Sequence, residues 1–290
     1  MIINSGKNIL DFCNEKDIPI SEVSIMVEAI RSDQSREEIL SKIANSWSMM
    51  ASSIDQGVND LSLMPKMFDD DAKKILEYRK ENIALSGDVM SKAIAYALSV
   101  MEVNCSMGRI VAAPTAGSCG VIPAVFMSVK ETLGLDDEAM QKGLMTAGII
   151  GSVIGKNASL SGAEGGCQAE VGSASAMAAA AIVEMAGGTP QQSLDAAAIT
   201  IKMVMGLVCD PVAGLVEVPC AKRNAMGASN ALIAADMVLS GVVSVIPFDE
   251  VIWAMDKVGK CLPASLRETS EGGVAFTPTG IRLKEELFGK

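Results

Sequence analysis

The stretch LVCDPVAGLVEVPCAKRN, residues 207–224, places two thiols, Cys209 and Cys220, eleven positions apart in apolar surroundings, with Pro211 and Pro219 close by. A third thiol, Cys167, lies in SLSGAEGGCQAEVGSAS, a glycine-rich turn that leads into an alanine-rich run. Thiolates are nucleophiles and soft metal ligands, and helix N-termini or turns supply the N–H donors that stabilise them. Placement sets these three apart from Cys13 and Cys261, whose neighbours are charged, and from Cys105 and Cys119, which flank a loop in the 110s. Spacing alone leaves the alternatives open. Free cysteine commonly just fills a core, and no C-x-x-C pair signals a zinc ribbon, a thioredoxin or a ferredoxin.

The chain has no histidine, which removes the commonest base near neutral pH and the commonest zinc ligand. Acid–base chemistry then falls to Lys, Glu, Asp, Ser or Cys, or to a residue brought by another chain. Seven cysteines without a secretory signal point to a reducing, cytoplasmic setting with thiols free or metal-bound. The net charge is −11 and no basic cluster exceeds Lys222-Arg223, so a nucleic-acid partner is not expected. Mean hydropathy is positive, yet the longest uncharged run, Ile110 to Val129, is broken by Pro114, Gly117, Gly120 and Pro123 and lacks flanking Trp or Tyr. Membrane insertion is not expected either.

Positioning three thiols from separate stretches requires a core, and 290 residues can build one without disulfides. Charge thins out between residues 103 and 248, which marks that part as interior. Residues 1–90 read as amphipathic N-terminal helices, among them SEVSIMVEAIRSDQSREEILSKIANSWSMM and DDDAKKILEYRKEN, packed on a helical body of residues 91–290 as one continuous unit. Within that body the punctuation predicts a helix over 118–133 stopped by Gly134, and another from Asp136-Asp137 towards Ile154. An alanine-rich helix should close at Gly187-Gly188, and one capped by Thr189-Pro190 should run to about Val208. On this reading Cys209 ends a helix and Cys220 begins one. No alternating strand pattern is present, so the expected fold is all-α, with central Ala/Gly-rich buried helices.

Three segments, GRIVAAPTAGSCGVIPAV, SLSGAEGGCQAEVGSASAMAAAA and CDPVAGLVEVPCAKRNAMGASNAL, resemble the iron–sulfur L-serine dehydratases, and the resemblance continues through LPASLRETSEGGVAFTPTG. Within that family the chain is similar to the separate α subunit of the two-chain form. The resemblance implies a [4Fe–4S] cluster held by Cys167, Cys209 and Cys220, with one iron lacking a cysteine and free to act as a Lewis acid on the substrate hydroxyl. It implies conversion of L-serine to pyruvate and ammonia without pyridoxal phosphate. A β subunit is expected as partner, since the family's histidine-containing substrate motif lies in that portion. In single-chain relatives a cysteine near the C-terminus can occupy the open iron, and IRLKEELFGK contains none.

The same resemblance directs attention to PTAGSCG, residues 114–120, whose Thr115 and Ser118 would receive the substrate carboxylate or else act as N-caps. Lys156, in IGKNASLSG, would orient substrate or take a proton, or else sit on the surface at a helix C-terminus. Glu164 and Glu170 flank Cys167 and would bond to the cluster's surroundings or cap the helix. Arg109 and Arg223 would hold carboxylates or form ion pairs. Two other readings remain at this point: a cluster-dependent L-cysteine desulfidase using the same open iron, and a non-catalytic helical scaffold subunit.

Overall fold

A computed structural model describes residues 3–59 and 67–289. Its helices are α1 (Gly6–Lys16), α2 (Ile20–Ser32), α3 (Arg36–Asn59), α4 (Asp71–Glu81), α5 (Gly87–Cys105), α6 (Val121–Leu133), α7 (Asp137–Asn157), α8 (Gly162–Gly165), α9 (Cys167–Met185), α10 (Pro190–Met203), α11 (Cys220–Leu239), α12 (Phe248–Cys261) and α13 (Pro278–Phe288). Short 3₁₀ turns occur at Ala116–Ser118, Val212–Gly214, Ala264–Leu266 and Gly273–Phe276. The fold is all-α, and the one β-like feature among the described residues is an isolated bridge between Cys209 and Arg267. No helix among them is long and apolar enough to cross a membrane.

Helix α9 forms the axis of the molecule. Every residue from Val171 to Val183 is buried, and α10, α7, α11 and α6 pack around it. Burial on all sides explains its uniform small-residue composition, since a helix surrounded by helices has no polar face to show. Close approach is specific: a Cβ on Gly227 of α11 would lie 2.7 Å from Cγ1 of Val171, and Ser175 donates to the Gly227 carbonyl at 2.7 Å.

The helix ends follow local chemistry. Gly134 closes α6 in the left-handed conformation, with φ 67°. The Asp136 side chain accepts from Ala139 N at 2.9 Å and opens α7, while Thr189 and Gln192 form a reciprocal capping box on α10. The N-terminal helices are amphipathic as expected and lay Ile9, Ile20, Val23, Trp47, Met50 and Ile54 into a single apolar core shared with Phe126, Ile150 and Val171. Trp47 also donates to Asp137 at 2.8 Å, and Glu184 of α9 accepts from Ile20 N at 2.8 Å, at the start of α2.

Two boundaries differ from the sequence expectation: α6 begins at Val121 rather than at residue 118, and α10 ends early. Helix α10 stops at Met203, short of Val208, because α9 claims the next residues: Gly206 N donates to the Gln168 side-chain carbonyl at 2.9 Å and Gln168 N donates to the Leu207 carbonyl at 3.0 Å. Gly206, with φ 88°, permits the turn. Cys209 therefore does not end a helix. It lies in an extended segment, its N–H donating to the Leu266 carbonyl at 2.9 Å and its carbonyl accepting from Glu268 N at 2.7 Å.

Candidate metal centre

Cys167 is the first residue of α9, Cys209 lies on the extended 207–211 segment, and Cys220 is the first residue of α11. All three are buried. The ligand atoms of Cys167, Cys209 and Glu170 lie within 4.8 Å of one another. Glu170 follows Cys167 by three residues on α9, so both side chains occupy one face of the helix. Cys220 falls outside that group but stands near enough for charge on Cys167 and Glu170 to act on it: burial raises its thiol, and those two groups raise it further.

The thiols are electrostatically unequal. A hydrogen bond from Cys209 holds Cys167 below the usual thiol range, with help from the Arg223 guanidinium and against the cost of burial. Cys209, as donor in that bond and also buried, is pushed up. Arg223 is itself buried, which opposes its charge, but Cys167 and Asp210 outweigh that and keep it firmly protonated. Its ion pair with Asp210 is 2.8 Å long, and it donates to the Val208 carbonyl at 2.8 Å. A cation thus stands beside the thiol pair.

The 114–120 loop forms another wall. Thr115 donates to a Glu170 carboxylate oxygen, and its hydroxyl lies 2.9 Å from that of Ser118; with the Thr115 proton committed to Glu170, Ser118 is the donor in that second contact. Asn224 of α11 fixes the loop, its amide donating to the carbonyls of Gly117 at 2.7 Å and Cys220 at 2.9 Å, and its carbonyl accepting from Gly120 N at 3.0 Å. Burial raises the Glu170 carboxyl, the Thr115 bond partly restores it, and Glu268 raises it again.

The C-terminal segment straps the thiol loop. Val274 N donates to Asp210 at 2.7 Å, and Ser270 donates to the Pro211 carbonyl at 2.6 Å. Glycines keep the centre open. A Cβ on Gly162 would meet the Cys209 sulfur at 2.9 Å, and one on Gly117 would meet Glu170 Oε1 at 2.6 Å.

The profile of the family described as serine dehydratase alpha chain matches residues 15–275, and every residue of this centre lies inside the match. The chain belongs to that family. Among its relatives, one from Bacillus subtilis, named probable L-serine dehydratase, alpha chain, is 52% identical over 98% of this chain and 94% of its own. An L-serine dehydratase, alpha chain, from Peptoniphilus asaccharolyticus is 47% identical over 99% of both chains. L-serine dehydratase 1 of Escherichia coli is 38% identical over 94% of this chain, which spans 61% of that longer protein.

Of the residues singled out from sequence, Cys167, Cys209, Thr115, Ser118 and Glu170 meet directly, with Cys220 and Arg223 beside them. Lys156 does not join them. Its ammonium donates to the Ile3 carbonyl at 2.7 Å, on the rim of a separate cleft of about 510 Å³ that Glu164 and Arg267 also line. Glu164 and Arg109 are exposed. Sequence reasoning missed Asp210, Asn224 and Glu268. Asp210 and Asn224 each adjoin a residue already under suspicion, and Glu268 lies in the LPASLRETSEGG stretch that carried part of the resemblance.

Proposed function

We propose that the chain is the alpha chain of an L-serine dehydratase that converts L-serine to pyruvate and ammonia at a [4Fe–4S] cluster, working with a β chain. The observation that carries the reading is the meeting of Cys167, Cys209 and Glu170 within 4.8 Å, with Cys220 at the adjoining helix start. The donor set suits the group: buried thiols from three segments match the soft ligands that iron–sulfur clusters take. Three cysteines leave one iron without a thiolate, which is the pattern of an open, reactive site. When bound, the cluster supplies a Lewis-acidic iron that stabilises the departing hydroxyl oxygen.

The residues of the chain do the remaining work. Thr115, Ser118 and the N–H groups of the 116–120 turn receive the substrate carboxylate. Arg223 holds positive charge beside Cys167 and offsets the negative charge of the thiolates. Removal of the Cα proton and of hydroxide leaves an enamine, which tautomerises to an imine and hydrolyses to pyruvate and ammonia. None of these steps needs pyridoxal phosphate. With no histidine in the chain and the Lys156 ammonium held by Ile3, we assign the proton acceptor to the β chain.

Anaerobic pyruvate formation from L-serine, with the β chain present, tests the proposal. Cys167→Ala and Cys220→Ala should each lower turnover by about a thousandfold while leaving the helical circular dichroism intact. Undiminished turnover in either variant contradicts it. Sulfide release from L-cysteine without turnover of L-serine would favour the desulfidase reading instead.

A further inference from the structure

We infer that Glu170 is the protein's own fourth donor to this centre: in the absence of substrate its carboxylate occupies the iron that no cysteine holds, and the substrate hydroxyl displaces it. The inference rests on the cluster reading above and concerns how the same site is kept closed. Among the described residues, no other three Cys, Asp or Glu ligand atoms gather as tightly as those of Cys167, Glu170 and Cys209. The third member of the tightest donor set is therefore a carboxylate, and Cys220 is the more distant thiol.

The surroundings hold that carboxylate in place without using it up. Thr115 bonds Oε1, whereas Oε2 carries no hydrogen bond among the described residues. Two glycines allow the approach: a Cβ on Gly117 would lie 2.6 Å from Oε1, and one on Gly162 would lie 3.2 Å from Oε2 and 2.9 Å from the Cys209 sulfur. Any side chain at either position would displace the carboxylate from the sulfurs. Carboxylate oxygen is a harder donor than thiolate, so it can protect the iron and still give way.

Thr115 couples release to substrate arrival. The hydroxyl assigned to the substrate carboxylate is the one that now bonds Glu170, so a substrate taking Thr115 removes the bond that orients Glu170. The exchange replaces one iron-bound oxygen by another and transfers no electrons.

The test uses the full chain with its β chain, reconstituted with ⁵⁷Fe as native protein and as Glu170→Gln. Mössbauer spectra are recorded with and without L-serine, alongside the rate at which ferricyanide removes the fourth iron, followed by the electron paramagnetic resonance of the three-iron product. The native subsite spectrum should change on adding L-serine, the variant should already differ from native without it, and the variant should lose the fourth iron about tenfold faster. Glu170→Asp, which keeps a shorter carboxylate, should fall between the two and carries the comparison if the Gln variant takes up no iron. A four-iron native cluster whose spectrum and lability are the same in the variants overturns this inference alone. Absence of a cluster from the native protein removes the cluster reading, and this inference with it.

Discussion

Glu102 of α5 is fully buried, with Oε1 accepting from Ala72 N at 3.2 Å at the start of α4 and Oε2 without a partner. Burial pushes its carboxyl from 4.5 up to about 7, and the N–H groups of Ala72 and Asp71 only partly offset this. The folded state therefore keeps a proton that the unfolded chain has released across that window. Stability attributable to Glu102 falls as pH rises from about 4.5 to 7 and levels off above. Glu102→Gln keeps an acceptor for Ala72 and should remove the dependence, gaining on the order of 3 kcal/mol over native at pH 8 but little at pH 4. Urea midpoints across pH check this, and parallel native and variant profiles contradict it. At the same scale, Asn224→Ala strips three hydrogen bonds from a buried junction and should cost about 2–4 kcal/mol while raising KM for L-serine, because the Thr115 loop loses its anchor. Denaturation and steady-state kinetics read the two effects separately. Single residues were legible unevenly. The three cysteines were named through the resemblance, and Glu170 only as a neighbour flanking Cys167; that the two share a helical face follows from Cys167 being the first residue of α9. The Arg223–Asp210 pair joins α11 to the 207–211 segment and Glu268 approaches from the C-terminal segment, and no periodicity links them.

Helices were legible where their own residues write the signal. Asp136, Gly134 and Thr189-Pro190 mark real boundaries because capping is a local matter, settled within one turn of chain. The end of α10 was not legible: the residues after Met203 remain helix-compatible, and what stops them is Gln168, more than thirty positions earlier. That tertiary claim also puts Cys209 on an extended segment, where it faces Cys167. The small-residue composition of α9 predicted central burial, and the packing gives it a measurable consequence. Gly227→Ala would improve helix propensity by about 1 kcal/mol, but the added methyl meets Val171 at 2.7 Å and Val121 at 3.1 Å. Overpacking typically costs about 1–3 kcal/mol, so the variant should be no more stable than native and should weaken the α9–α11 contact. A clear rise in the urea midpoint would show that the two helices can separate without penalty.

At the scale of the molecule, one core among the described residues spans the N-terminal helices and the body that carries the thiols, so the centre depends on the packing of both. All-α architecture followed from the absence of strand patterning and the charge-poor middle; the approach of Cys167 and Cys209 did not, because it depends on where distant segments meet. No histidine is present to serve as base, and a longer relative is matched over only 61% of its length. The purified chain alone should therefore form pyruvate from L-serine at a small fraction of the rate reached with the β chain, and full activity without it would place the base within this chain. The central claim is the cluster itself. Iron and acid-labile sulfide per chain, measured after anaerobic purification and reconstitution of the native protein and of Cys209→Ala, test it most directly. The account predicts about four of each in the native protein and their loss or degradation in the variant; little iron and sulfide in both would contradict it.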